Sequence, residues 1–276
     1  MGNSVQIASN HGAIRALDNL FKTNQLLAKT IDRLSSGLRV QSSADDAAGM
    51  AVSESMRAQK MSFQQAIRNA NGGIAILQTA EAAFQSISDT LTRMRELAVE
   101  SANGSITDTE RTFLDTEFSE LVDEIDRIAA VTEFNDIKLL DGTAATLTFQ
   151  VGIRNSSADQ IATSIDSQNA TGLGVNDDTV ATQTGAQNAI DEIDTAFESL
   201  NTDRASIGAN INSLSLAVTN LSSSVENLGT AMGNVRDADI GSQSAEFSRL
   251  QVLQQAGIAM VAQANALPST ALRLLA

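Results

Sequence analysis

Cysteine, tryptophan and tyrosine are absent from the 276 residues, and there is one proline, Pro268, and one histidine, His11. Without cysteine there is no disulfide, no zinc–thiolate site and no thiol nucleophile. A single histidine excludes an HExxH motif or a histidine-rich metal site. With one proline, almost nothing breaks a helix. Aromatic residues make up 3% of a chain that is 42% hydrophobic, so the core has to be built from Leu, Ile, Val, Met and Ala. Long apolar runs are missing too. The best, "GIAMVA" at 257–262, is flanked by glutamines and is far too short to span a bilayer, so no membrane is expected. The opening "MGNSVQIASNHG" has neither a basic start nor an apolar block, and no cleaved secretory signal is expected from it.

Positive charge is scarce. The formal net charge is -15, but it is unevenly spread. Residues 1–44 carry net +3, residues 236–276 are neutral, and the body between them carries net -18. A nucleic-acid binder shows the reverse, a basic patch on its body, so nucleic acid is excluded as a partner. The last 26 residues, "QVLQQAGIAMVAQANALPSTALRLLA", hold one charge, Arg273.

What the chain does have is heptads. From Ala186 through Ile190, Ile193, Phe197, Leu200, Arg204, Ile207, Ile211, Leu214, Val218, Leu221, Val225, Leu228, Met232 to Val235 the steps alternate four and three without a slip. That predicts one helix of about 75 Å with a coiled-coil seam, in which Arg204 is the one polar position and snorkels or sets register. A second seam runs from Phe63 to Ala98 within about 45–103, and a third helix is expected over 108–130 with Leu114, Phe118, Leu121, Ile125 and Ile128 inward. Thr107 and Glu110 fit a capping box for it. "TLTFQVG" alternates as a half-buried strand, with "DIKLL" and "QIATSI" as candidate partners, and 171–186 reads as a loop.

The two ends mirror each other. Leu17, Leu20, Asn24, Leu27, Ile31, Leu34 and Leu38 make one amphipathic stripe; Phe247, Leu250, Leu253, Gly257, Met260, Ala264 and Leu267 make the other. They can pair, parallel or antiparallel. The C-terminal helix is apolar beyond one stripe, however, and one partner cannot cover it, which implies contact with further copies of the chain. No residues offer themselves as catalytic, cofactor-binding or metal-binding: "TGLGVND" lacks GxGxxG spacing, and the two "DEID" segments put carboxylates on the outer faces of heptad helices, with Ile125 and Ile193 inward.

Three long segments, "RLSSGLRVQSSADDAAGMAVSESM" (33–56), "NANGGIAILQTAEAAFQSISDTLTRMRELAVESANGS" (69–105) and "LQQAGIAMVAQANALPSTALRLL" (253–275), closely resemble bacterial flagellin. The resemblance implies a mainly α fold: a long coiled-coil helical bundle with a small β-hairpin region, the N- and C-terminal helices paired as an inner coiled coil. It implies an inner filament-core domain of residues 1–44 and 240–276 and a helical body at 45–239, with a hairpin region near 135–170 and a short loop, 171–186, where relatives carry outer domains. The implied function is a structural, non-enzymatic subunit without cofactors that polymerises into the extracellular flagellar filament for motility after unfolded type III export. Leu17, Leu20, Leu27, Ile31, Leu34, Phe247, Leu250, Leu253, Met260 and Leu267 are then the polymerisation core. The partners implied are the chain itself as a helical homopolymer, an export chaperone, a filament cap and hook-junction proteins. The host receptor TLR5 is implied as well, through Arg93, Leu97 and Glu117, with Arg93 and Leu97 expected on one exposed stripe. Hook–filament junction proteins share such ends and are the nearest alternative. A coiled-coil signalling protein is a further one, but it has no need of an uncharged C-terminus.

Overall fold

The computed structural model describes residues 10–143 and 146–275, with side chains as far as residue 266. In chain order the elements are α1 (His11–Ser36), α2 (Ala47–Ser101), α3 (Asp108–Val131), β1 (Glu133–Phe134), β2 (Ile137–Lys138), β3 (Leu147–Gln150), β4 (Gln160–Thr163), α4 (Ala170–Leu173), α5 (Gln183–Arg236) and α6 (Ile240–Leu275). The fold is mainly α, with two small hairpins. The chain divides into two compact units, residues 1–58 with 228–276 and residues 59–227.

The larger unit, 59–227, holds the main core. Along α2, Ala70, Leu77, Ala80, Phe84, Ile87, Leu91, Met94 and Ala98 are fully buried, as the three–four spacing requires. The α5 seam answers with Ala186, Ile193, Leu200, Ile207 and Leu214, and α3 adds Phe118, Ile125 and Ile128. Arg204, the polar seam position, reaches out of the core to Glu81 Oε1 at 2.7 Å and Gln85 Oε1 at 3.1 Å. The α3 capping box forms as expected: Glu110 N donates to Thr107 Oγ1, and Thr107 N donates to Glu110 Oε2.

The turn before α3 is tied down from inside. Arg111 is 4% exposed, and its guanidinium donates to the carbonyls of Asn103 and Ile106 and to Ser101 Oγ. A buried guanidinium is tolerated because its donors meet carbonyl and hydroxyl oxygens around the α2–α3 turn.

The strand pairing departs from expectation. β3 pairs with β4 antiparallel, Leu147 opposite Thr163, but "DIKLL" does not join them. Its first residues form β2 and pair with β1 across Asn135–Asp136, both with positive φ (50° and 63°). A two-residue turn of this kind pairs β2 with its neighbour in sequence, so β2 is not free to join β3. The β3–β4 hairpin docks on α2 through Phe149. A Cβ on Gly73 would stand 2.8 Å from the Phe149 ring, and this close approach requires glycine there. The segment expected as a plain loop, 171–186, is more ordered: α4 sits at its start, Gly174 caps it with φ 78°, and Leu173, Val175 and Val180 are buried.

In the smaller unit α1 and α6 run antiparallel. Asn10 Nδ2 donates to Ala264 O at 2.7 Å, Leu20 lies against Gly257, and Gln254 Nε2 donates to Asn24 Oδ1 at 2.8 Å. The chain leaves α1 through Gly37, whose φ of 73° closes the helix with its N–H on Arg33 O. Leu38 then pairs as an isolated bridge with Asp237, with Arg39 N on Arg236 O at 2.7 Å and Ala238 N on Gly37 O at 2.9 Å. Asp46 caps α2 through Gly49 N, and Asp239 caps α6 through Gly241 N.

Candidate functional site: the uncovered face of the terminal helices

One helix packed on another can bury only one stripe of each. On α1 that stripe is Ala13, Leu20, Leu27, Thr30 and Leu34; on α6 it is Phe247, Leu250 and Gly257, with Leu250 2% exposed. Of the ten residues expected as the polymerisation core, Leu20, Leu27, Leu34, Phe247 and Leu250 lie in or beside the intrachain pair. The other described members do not. Leu17 is 54% exposed, Ile31 47%, Leu253 43% and Met260 63%. The helix pair turns Ala13 and Thr30 inward and leaves Leu17 and Ile31 on the flank, so the stripe on α1 is divided between a covered and an uncovered side. The side chain of Leu267 lies outside the described residues.

The outer stripe is extensive. Ile14, Phe21 and Leu26 extend it on α1, and Val252 and Ile258 on α6, all more than half exposed. Between Gln251 and Ala266 no side chain is charged. Large apolar side chains on a neutral surface mark a face built to be covered. Among the described residues no three His, Asp or Glu side chains converge to hold a metal ion. No helix is long and apolar enough to cross a membrane, again among the described residues.

The three residues singled out on α2 and α3 come apart. Arg93 donates to Glu117 Oε1 through Nε at 2.8 Å and Nη2 at 2.7 Å, and its Nη1 reaches Glu96. The partners raise the Arg93 pKa, Glu117 first, so the guanidinium is firmly charged. Leu97, expected on the same exposed stripe, is 1% exposed and belongs to the core. It stands three residues from Met94, and both belong to one buried cluster that α3 shares. Sequence reasoning also missed what two outer-face aspartates do. Asp126 accepts from Ala170 N at 2.7 Å, and Asp194 holds Arg95 at 2.7 Å. Asp115 was not singled out either, yet it accepts from Thr179 Oγ1 and Val180 N and pins the 174–182 segment to α3.

Comparison with known proteins is consistent along nearly the whole chain. Residues 7–145 match the family of the bacterial flagellin N-terminal helical region, and residues 190–275 that of the C-terminal helical region. A flagellin of Halalkalibacterium halodurans is 42% identical over 90% of this chain and 91% of its own length. A flagellar filament core protein of Brachyspira hyodysenteriae is 36% identical over 98% and 99%. Among solved structures, Bacillus cereus flagellin superposes with a TM-score of 0.50 at 33% identity, over 56% of this chain and 88% of that one.

Proposed function

The chain belongs to the bacterial flagellin family and is a structural subunit of the flagellar filament, and from that premise we propose how its parts divide the work. The α1–α6 pair, within residues 1–44 and 240–276, is the filament's inner layer, and 45–239 is the outer, acidic body. The outer stripe of Leu17, Ile31, Leu253 and Met260 is where further copies pack, while Leu20, Leu27, Leu34, Phe247 and Leu250 hold the pair that presents it. The chain is not an enzyme; its work is self-association. A contact between unlike faces that does not close on itself propagates as a helical fibre.

The observation that carries this reading is the uncharged apolar face left on α6 after α1 has covered one stripe. Export in an unfolded state, an export chaperone and a cap acting on the C-terminal segment, and hook-junction proteins at the filament base belong to the same proposal. Recognition by TLR5 would rest on Arg93 and Glu117, which are exposed and joined, with Leu97 supporting the helix from beneath. The test is a paired substitution. Met260→Ser with Leu253→Ser changes two exposed positions and leaves the subunit's helical content and melting unchanged, but lowers its elongation of filament fragments at least roughly tenfold, as expected when exposed apolar area has become buried contact. Elongation at the native rate would sink the reading.

A further inference from the structure

Asparagine precedes glycine twice in the chain, at Asn71–Gly72 and at Asn103–Gly104. Such a pair carries its own chemistry. The side-chain amide is an electrophile, and the backbone nitrogen of the next residue can close a five-membered ring on it. Glycine, with no Cβ, leaves that approach open. Both pairs are exposed, so access to water does not separate them. Their backbones do. Asn71 and Gly72 lie inside α2, where each N–H is committed to the helical ladder. Asn103 and Gly104 lie in the turn between α2 and α3. There Asn103 N donates to Glu100 O at 3.1 Å and Ile106 N to Asn103 O at 3.3 Å, but among the described residues no acceptor takes the Gly104 N–H.

The turn holds both carbonyls of Asn103. Its side-chain Oδ1 accepts from Ser105 N at 3.3 Å, which polarises the amide and favours negative charge on that oxygen. Its backbone O accepts from Arg111 Nη2 at 2.9 Å. Arg111 is the buried cation of this turn, and it lacks a close counter-ion. Among the described residues its one ion-pair partner is Asp108, which stands 3.9 Å from Nε and is fully exposed. One acceptor of the guanidinium is thus the backbone carbonyl that ring closure would make part of an imide. The residue before it is fixed as well, with Gln183 Nε2 donating to Ala102 O at 3.0 Å.

We propose that Asn103–Gly104 is a site of self-modification, at which Asn103 becomes isoaspartate with its new carboxylate on Arg111. Gly104 N bonds to Asn103 Cγ as the Cγ–Nδ2 bond breaks, and Nδ2 leaves as ammonia with the proton that Gly104 N gives up. Water then opens the imide. Arg111 polarises the backbone carbonyl of Asn103, so water adds at that carbon, its bond to Gly104 N breaks, and the nitrogen regains a proton. The chain now runs through Cβ and Cγ, and the former backbone carbonyl is a free carboxylate where Arg111 already donates. The exposed turn takes up the added methylene, and the buried guanidinium gains the counter-ion that the unmodified turn does not supply. Arg111 acts here as a positioning residue. The proposal does not depend on the assembly reading above.

Peptide mapping by mass spectrometry tests it on the full-length subunit held in warm, mildly alkaline buffer. Asn103 is expected to gain the amide-to-acid mass at least roughly tenfold faster than Asn71, because Asn71 reacts only when α2 opens locally. In denaturant both pairs sit on a flexible backbone, and the two rates converge. Gly104→Ala keeps the fold, since an added Cβ meets nothing closer than Gln183 Nε2 at 3.8 Å, and melting checks that it does. Its methyl group hinders the attack and slows conversion at Asn103 at least roughly tenfold. Labelling with an isoaspartate-specific carboxyl methyltransferase reads the direction of ring opening. The share of isoaspartate at Asn103 is higher in the folded chain than in the denatured one. An Asn103 that stays an amide, one that reacts no faster than Asn71, or a gap between the two that persists in denaturant overturns the proposal. An isoaspartate share unchanged by unfolding overturns the part given to Arg111.

Discussion

A single carboxyl shows how far one residue can register its surroundings. Asp178 faces Glu192, and two carboxylates can hydrogen-bond only if one of them keeps a proton. With a pKa raised to about 7, the folded chain holds that proton in a range where an unfolded aspartate, near 4, has already released it. Folding therefore takes up a proton between about pH 4 and pH 7, and stability contributed by this group is present at the acid end and falls as pH rises through the window. Asp178→Asn should remove that part of the pH dependence. Denaturant unfolding of the free subunit at pH 5 and pH 8 measures it: the native chain loses more stability between the two than the variant does, and equal slopes would refute the assignment. Arg111 is the opposite case, a buried charge whose donors are met by the carbonyls of Asn103 and Ile106 and that therefore stays put.

At the scale of elements, the long helices were legible and the small pieces less so. An unbroken heptad such as Ala186–Val235 admits one reading, and α5 follows it almost to the residue, its seam from Ala186 to Val218 joining the main core. The α3 boundary was legible for the same reason at smaller size: Thr107 and Glu110 satisfy each other's backbone donors and need nothing else. The strands were only half legible. β3 and β4 show in their alternation, but "DIKLL" carries no mark of its partner, and the tight Asn135–Asp136 turn decides it locally. The two-stripe surface of α1 was hidden too, since Leu17 and Leu20 look equivalent until α6 chooses a side. Leu97 misled in the same manner, its burial showing only once the core around α2 is assembled.

Gly73 makes the point about elements testable. It stands in the interior of α2, where alanine would favour the helix, yet the Phe149 ring of the β3–β4 hairpin occupies the place of its side chain. Gly73→Val should push the hairpin off α2 and cost about 1–3 kcal/mol, the range for overpacking a well-filled contact. Amide exchange resolves the effect. Leu147–Gln150 and Gln160–Thr163 are expected to lose protection in the variant, while Asp108–Val131 keeps it; unchanged hairpin protection would mean that Phe149 has room to move aside.

For the whole molecule, the distribution of apolar surface separates a self-sufficient part from a dependent one. Residues 59–227 enclose a core of fully buried side chains drawn from α2, α3, α5 and the hairpins. The α1–α6 pair encloses far less: two helices share one stripe, and Phe21, Val252 and Met260 remain more than 60% exposed. Two isolated helices in contact gain little beyond the ordering entropy they lose, so their stability has to come from neighbours. Binding that stabilises only the ordered form shifts the equilibrium in proportion to how much of it is available, and on the proposed reading every terminal pair in a filament is surrounded. Hydrogen exchange on the free subunit and on the filament should then split the chain in two. Amides of α2 and α5 within 59–227 are protected in both states; those of α1 and α6 exchange at least roughly a hundredfold faster in the free subunit than in the filament, the size of a coupling of a few kcal/mol. Screening salt widens the difference from the filament side, because it weakens the repulsion between adjacent subunits of net charge -15 that opposes the packing protecting the terminal helices. Equal protection of α1 in the two states would show that the pair stands on its own, and the exposed stripe would then need another explanation than assembly.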